Sequence, residues 1–300
     1  MGKGGLPFAF IAVVTAAAAA TSAYAADRTV VTDPTATNVS GHNTQLVWSS
    51  LGRDGRARLM RLVDGAPRRV PVRAKDGLFD PDTGTSRSGH QVIVYTRCAG
   101  LSGQGCDVWQ YDDGKRRERT VPGASSDRCS EFAPSVWIGT VAFARTGPGN
   151  CPGLYVVRRG HVRRLEGRVP SQTDIRGSIV AYLYTPAAVP AAQTSVRVRS
   201  IYGAGSRRVV SGLTTKRESY RVTSPVLDGR YVYWLQEDGL RHQFFAGRAI
   251  ARHGSQLEFT ARTLPGKVDS IAVSLGRLFF TTGPGIFEAT DPPLGFAHRG

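Results

Sequence analysis

The chain has 300 residues, with 39 Lys and Arg against 23 Asp and Glu and a formal net charge of +16. With 41% hydrophobic residues and 35 Gly, it is long enough for two ordinary domains or one large β domain. Helical periodicity is absent and no linker or composition shift divides the chain, which argues against a helical fold and for one β domain.

Residues 1–25 read as a signal peptide. Lys3 supplies the positive start, Leu6 to Ala20 an apolar run, and Ala23-Tyr24-Ala25 a small-x-small cleavage site. The run is short for a bilayer span, which needs about 20 residues. The expected mature chain, 26–300, is therefore exported, with no transmembrane segment after cleavage.

Beyond the leader, an apolar run carrying an aromatic recurs: Leu46–Trp48, Val92–Tyr95, Val141–Phe143, Ile179–Tyr182, Tyr231–Trp234 and Leu278–Phe280. The aromatics Trp48, Tyr95, Phe143, Tyr182, Tyr233 and Phe280 return about every 40–50 residues, the period of a four-stranded propeller blade. A glycine precedes each run (Gly41, Gly89, Gly139, Gly177, Gly229 and Gly276), as a tight strand-to-strand turn requires. Paired strands with X-Gly turns follow, as in RLMRLVDG-APRRVPV, DVWQYDDG-KRRERTV and LYVVRRG-HVRRLEG. The spacing predicts an all-β, six-bladed β-propeller with blades at about 35–72, 78–122, 131–167, 168–213, 220–264 and 267–290. The last blade lacks a fourth strand, and Arg28–Val31 is expected to supply it by pairing with Ile286–Ala289.

APSVWIGTVAFAR, TSPVLDGRYVYW, DVWQYDDGKRRERT and LYVVRRGHVRRLEG make the region 35–290 resemble the TolB-like and WD40-like propeller repeats of exported bacterial proteins. That resemblance implies the same ring architecture and an exported bacterial protein.

Four cysteines in an exported chain favour two disulfides, with three possible pairings. Cys98 and Cys106 bracket the loop AGLSGQG, while Cys129 and Cys151 fall in connections that strand alternation places on one rim of the ring. The expected bridges are Cys98–Cys106 and Cys129–Cys151. No CxxC or His at ligand spacing suggests zinc.

The sequence carries no motif for catalysis, cofactor or metal. Asp80-Pro81-Asp82-Thr83-Gly84 has a fragment of a calcium loop, but Gln91 stands where the bidentate Glu belongs, so it reads as a polar turn. Asp112-Asp113, Glu237-Asp238 and Asp228 precede Gly and read as turn formers. Asn38-Val39-Ser40 is a glycosylation sequon only in a cell that glycosylates. His42, His90, His161, His242, His253 and His298 are isolated and read as surface or turn residues. The first strands, which line a propeller channel, supply Asp80, Asp82, Asp174, Asp228 and Asp269 but no His; Asp174 and Asp269 are the two to test. Irregular loops at Leu101–Gly105, Gly147–Gly153, Thr185–Thr194 and Glu237–Gln243 are the expected partner surface.

Only Lys3, Lys75, Lys115, Lys216 and Lys267 of the basic residues are lysine. The arginines are scattered through every repeat, which favours composition bias over a dedicated anion-binding patch. The expectation is an exported, non-catalytic binding or scaffold protein for an envelope or extracellular protein or an anionic polymer, with no nucleic acid. The alternative is a lyase, lactonase or glycan hydrolase with its site at the channel mouth.

Overall fold

A computed structural model describes residues 27–100, 105–186, 194–203, 205–214, 219–239, 243–250 and 260–290. The expected leader, most of two expected partner loops and part of a third, and His242, His253 and His298 lie outside the described residues.

Strand β1 (Arg28–Thr32) precedes the first blade, which is β2 (Thr37–His42), β3 (Gln45–Leu51), β4 (Ala57–Val63) and β5 (Ala66–Arg69). Blade two is β6 (Asp82–Thr85), β7 (Gln91–Cys98), β8 (Cys106–Asp112) and β9 (Arg117–Thr120). Blade three is β10 (Ser130–Trp137), β11 (Thr140–Thr146), β12 (Gly153–Arg158) and β13 (His161–Glu166). Blade four is β14 (Pro170–Arg176), β15 (Ile179–Tyr184), β16 (Ser195–Ser200) and β17 (Arg207–Ser211). Blade five has a short extra strand, β18 (Leu213–Thr214), then β19 (Ser219–Asp228), β20 (Tyr231–Asp238), β21 (Gln243–Ile250) and β22 (Thr260–Leu264). Blade six is β23 (Val268–Ser274), β24 (Arg277–Thr282) and β25 (Gly285–Glu288). Every pairing is antiparallel, and the first strands β2, β6, β10, β14, β19 and β23 pack side by side around the axis. The fold is a six-bladed β-propeller.

Closure follows the expected route. Strand β1 pairs with β25, from Arg28 opposite Glu288 to Thr32 opposite Gly285, and becomes the outer strand of blade six. Val31 is buried there with Val39, Leu46, Trp48, Ala272 and Ile286, so the chain start is part of the core between blades six and one.

The six recurring aromatics are buried to 2% exposure or less. An apolar cluster fills each of the six blade interfaces; the six aromatics sit in five of them, Tyr233 and Phe280 sharing one, and Trp234 occupies the interface of blades four and five. A blade has two apolar faces and buries them only against neighbours. Truncating one such aromatic to Ala costs about 3–5 kcal/mol.

Five of the six turn glycines have positive φ, as expected. Gly41 does not: the first turn uses Asn43 at φ 53°, and Gly41 stays inside β2 with His42. The turn therefore falls later than the glycine suggests, and His42 enters the channel wall. Asp80–Gly84 is likewise no solvated turn: Asp82 opens β6, and Asp80 lies just ahead of it on the channel.

Both expected disulfides are formed, Cys98–Cys106 across the β7–β8 pair and Cys129–Cys151 across the base of blade three. They point to an oxidising, extracytoplasmic compartment. Among the described residues no helix is long and apolar enough to cross a membrane.

Candidate functional site at the channel axis

A cavity of about 320 Å³ runs down the axis, walled by the first strands of all six blades. Its chemistry alternates from blade to blade. In blades one, three and five the first strand is bulged, with Asn38, Ala133 and Ser224 held at φ 50–51°. A left-handed conformation at a non-glycine residue costs on the order of 1 kcal/mol and needs support from its surroundings.

The support comes from blades two, four and six. Asp80 Oδ2 accepts from Ala133 N at 3.1 Å, Gln172 Oε1 from Ser224 N at 2.7 Å, and Ser270 Oγ from Val39 N at 3.0 Å. One pleat further along, Asp82 Oδ2 accepts from Val136 N at 2.7 Å and Asp174 Oδ2 from Leu227 N at 2.5 Å. Ala133 and Ser224 fall at the register shifts of their hairpins, and Val136 and Leu227 stand opposite Val141 and Val232, one position back from the turn. The axial carboxylates thus cap main-chain donors of the next blade. At the third such seam Ala272 and Gly41 stand in the corresponding places and pack directly.

Other partners fill the remaining sites. Asp80 also receives Thr96 N and Oγ1, and Asp82 Oδ1 accepts from Ser40 Oγ at 2.6 Å. Burial pushes the Asp82 carboxyl above the usual carboxylate range. Burial, reinforced by the charge of Asp82, pushes Asp174 up further.

Where the first strands end, four residues from different blades close one mouth. His42 of blade one meets Trp137 of blade three edge-on, ring centroids 5.2 Å apart. The Arg176 guanidinium of blade four lies 4.7 Å over the same indole and pairs with Asp228 of blade five, Nη1 to Oδ1 2.9 Å. Asp228 Oδ2 accepts from Gly276 N at 2.8 Å, linking blade six as well. Burial, then the Arg176 charge, hold the His42 pKa below its ordinary value.

Of the two aspartates singled out from sequence, Asp174 lies in the channel beside Arg176 and Asp82. Asp269 does not; it is 43% exposed and faces Lys267 at 3.7 Å. Asp228, read as a turn former, ends β19 and holds Arg176. His42, Trp137 and Arg176 were not singled out, and His42 corrects the reading that the first strands supply no His. The available signal was the acidic or amide spacing Asp80-Pro81-Asp82 and Gln172-Thr173-Asp174 in alternate first strands.

No family model and no curated protein matches the chain. Among solved structures, it is similar to the SapL1 lectin in complex with alpha methyl fucoside at TM-score 0.53 and 13% identity, covering 86% of this chain and 94% of the lectin. A Mycobacterium tuberculosis puromycin-hydrolyzing peptidase aligns at TM-score 0.47 and 12% identity over 91% of this chain and 55% of the peptidase. An oligogalacturonate lyase in complex with manganese aligns at TM-score 0.41 and 13% identity, covering 83% and 74%. The chain spans about half the length of that peptidase. At 13% identity the likeness to the lectin bears on the propeller fold alone, and a fold does not by itself assign a function.

Proposed function

We propose that this chain is an exported, non-catalytic binding or scaffold protein that meets an envelope or extracellular partner with its loops and rim. One observation carries this reading: each deep axial aspartate accepts a main-chain N–H from the neighbouring blade. A catalytic centre needs a base and a charge stabiliser aimed at one substrate atom, whereas these carboxyls hold blades together. The leader-like start and the two disulfides support export.

The enzymatic alternative, a lyase, lactonase or glycan hydrolase at the channel mouth, is favoured by a different observation. Asp82 and Asp174 form a buried pair with raised pKa values, and such pairs can divide acid and base roles. The test uses the mature protein and its Asp174→Asn variant as baits on envelope extract from the native cell. As a binder, both retain the same partner in similar amount and neither changes it. Turnover of a retained polymer by the wild type and not by the variant overturns the binding reading.

A further inference from the structure

From the rim we infer that the outer strands of blades one to four form a continuous cationic belt that binds a flexible, linear polyanion bearing phosphate or carboxylate groups. The proposal rests on the binding reading above and names its partner class and surface. Each of the four outer strands, β5, β9, β13 and β17, carries two arginines. Arg68, Arg117, Arg119, Arg163, Arg164 and Arg208 are exposed, and among the described residues none has a carboxylate within ion-pair distance.

The glutamates of these outer strands, Glu118 and Glu166, are turned the other way. Glu118 accepts from Tyr95 Oη at 2.6 Å and from Arg97 Nε at 2.7 Å. Glu166 accepts from Tyr182 Oη and pairs with Arg168 and Arg199. In the last blade Glu288 is held by Arg28 and Arg277. Neighbouring groups neutralise each carboxylate, from the same blade for Glu118 and Glu288 and from blade four and the connection leading to it for Glu166, and the unpaired positive charge is left facing outward. Scatter along the sequence thus becomes one belt in space, because the first four repeats each deliver a pair of arginines to the same structural position.

The shape of the belt selects the partner. Outer strands lie on the convex circumference of a ring, so a flat anionic surface touches only a blade or two, while a flexible chain follows the curve across four. Guanidinium groups suit repeated oxyanions because they bind them in a bidentate fork. A rival explanation is that edge arginines only prevent edge-to-edge pairing of the exposed strands.

The experiment measures binding of the mature protein to polyphosphate, to alginate, and to vesicles of phosphatidylcholine with phosphatidylglycerol, across a salt series. One variant replaces one arginine per blade (Arg68→Gln, Arg117→Gln, Arg163→Gln and Arg208→Gln). A control of equal net charge replaces exposed loop arginines (Arg53→Gln, Arg73→Gln, Arg87→Gln and Arg128→Gln). The expected result is salt-sensitive binding to a linear polymer that the rim variant weakens about tenfold or more and the control leaves nearly intact. The polymer bound better identifies the oxyanion. Equal losses in both variants, stronger binding to vesicles than to either polymer, or a rim variant that self-associates yet binds normally each overturn the belt. If the rim variant still retains the partner captured from envelope extract, the belt falls and the binding reading stands.

Discussion

At the scale of single residues, Asp174 ties architecture to proton chemistry. Its carboxyl is buried, caps Leu227 N, and sits close enough to Asp82 to be raised by its charge. Asp82 is raised by burial, and buried Glu131 is pushed up to about 7 by burial that outweighs Arg145, 2.8 Å away. An acid raised in the folded state binds its proton more tightly there than in the unfolded chain. Its stabilising effect is complete below the ordinary carboxylate pKa, about 4, and is lost as pH rises through the folded value. All three groups act with the same sign, so the melting temperature is expected to fall from neutral towards alkaline pH; only below about pH 6.5 does His42, whose pKa is lowered, act the other way. Asp174→Asn keeps an acceptor for Leu227 N without the charge. It should flatten that decline and raise stability most at the alkaline end, whereas Asp174→Ala leaves the amide uncapped and should cost about 1–3 kcal/mol at any pH. Thermal unfolding of the three proteins from pH 5 to 9 decides it: a variant curve parallel to the wild type contradicts the assignment.

At the scale of elements, the outer strand of blade six is the weak point of the ring, since it comes from the opposite end of the chain. Val31 is 3% exposed and lies in the cluster with Trp48 and Ile286, while Asp33, just beyond β1, accepts from Trp48 Nε1 at 2.9 Å. Placing a charge at Val31 buries it unpaired among apolar groups. Val31→Asp is expected to cost about 3 kcal/mol or more and lower the melting temperature by roughly 6–12 °C. Removal of residues 26–32 should do more, because it also exposes the edge of β25. Unchanged cooperative unfolding of either variant, followed by calorimetry, would show that closure does not depend on this strand. The pairing was legible because its signals are local: a β-branched run near the chain start and a last blade short of a strand. The aromatic runs and the turn glycines at 89, 139, 177, 229 and 276 were legible for the same reason. The short strand β18 escaped notice, since two residues set no period.

At the scale of the whole molecule, the channel was much less legible than the blades. Its groups come from positions such as His42, Asp82, Trp137 and Arg176, the last held by Asp228, and only ring closure brings them together; nothing in their local sequence says which first-strand carboxyl meets which amide. A turn placed at Asn43 rather than Gly41 was enough to hide His42. The same glycine supports one more expectation. Two seams of the alternating ring are held by Asp82 and Asp174, but at the closing seam Gly41 meets Ala272 and Ser274 directly. A Cβ at Gly41 would lie 3.1 Å from Leu46 Cδ2, 3.2 Å from Ser274 Cβ and 3.6 Å from Ala272 Cβ. Its φ carries no left-handed penalty, so a substitution tests packing alone. Leu46 can rotate away, but Ser274 Cβ moves only with β23, whose hydroxyl also donates to Asn43 O. Gly41→Ala should therefore force blades one and six slightly apart, at about 1–3 kcal/mol, the range for overpacking. Gly247→Ala is the calibrating variant: its Cβ would lie 2.3 Å from Trp234 Cε2 within one blade, and it should destabilise more. If the seam closes the ring, Gly41→Ala should also increase hydrogen exchange in β1, β2, β23 and β25 ahead of the other strands. Gly247→Ala should instead raise exchange first in blade five. Uniform exchange across all six blades in Gly41→Ala would mean that the ring opens as a unit and that this seam has no special part in holding it shut.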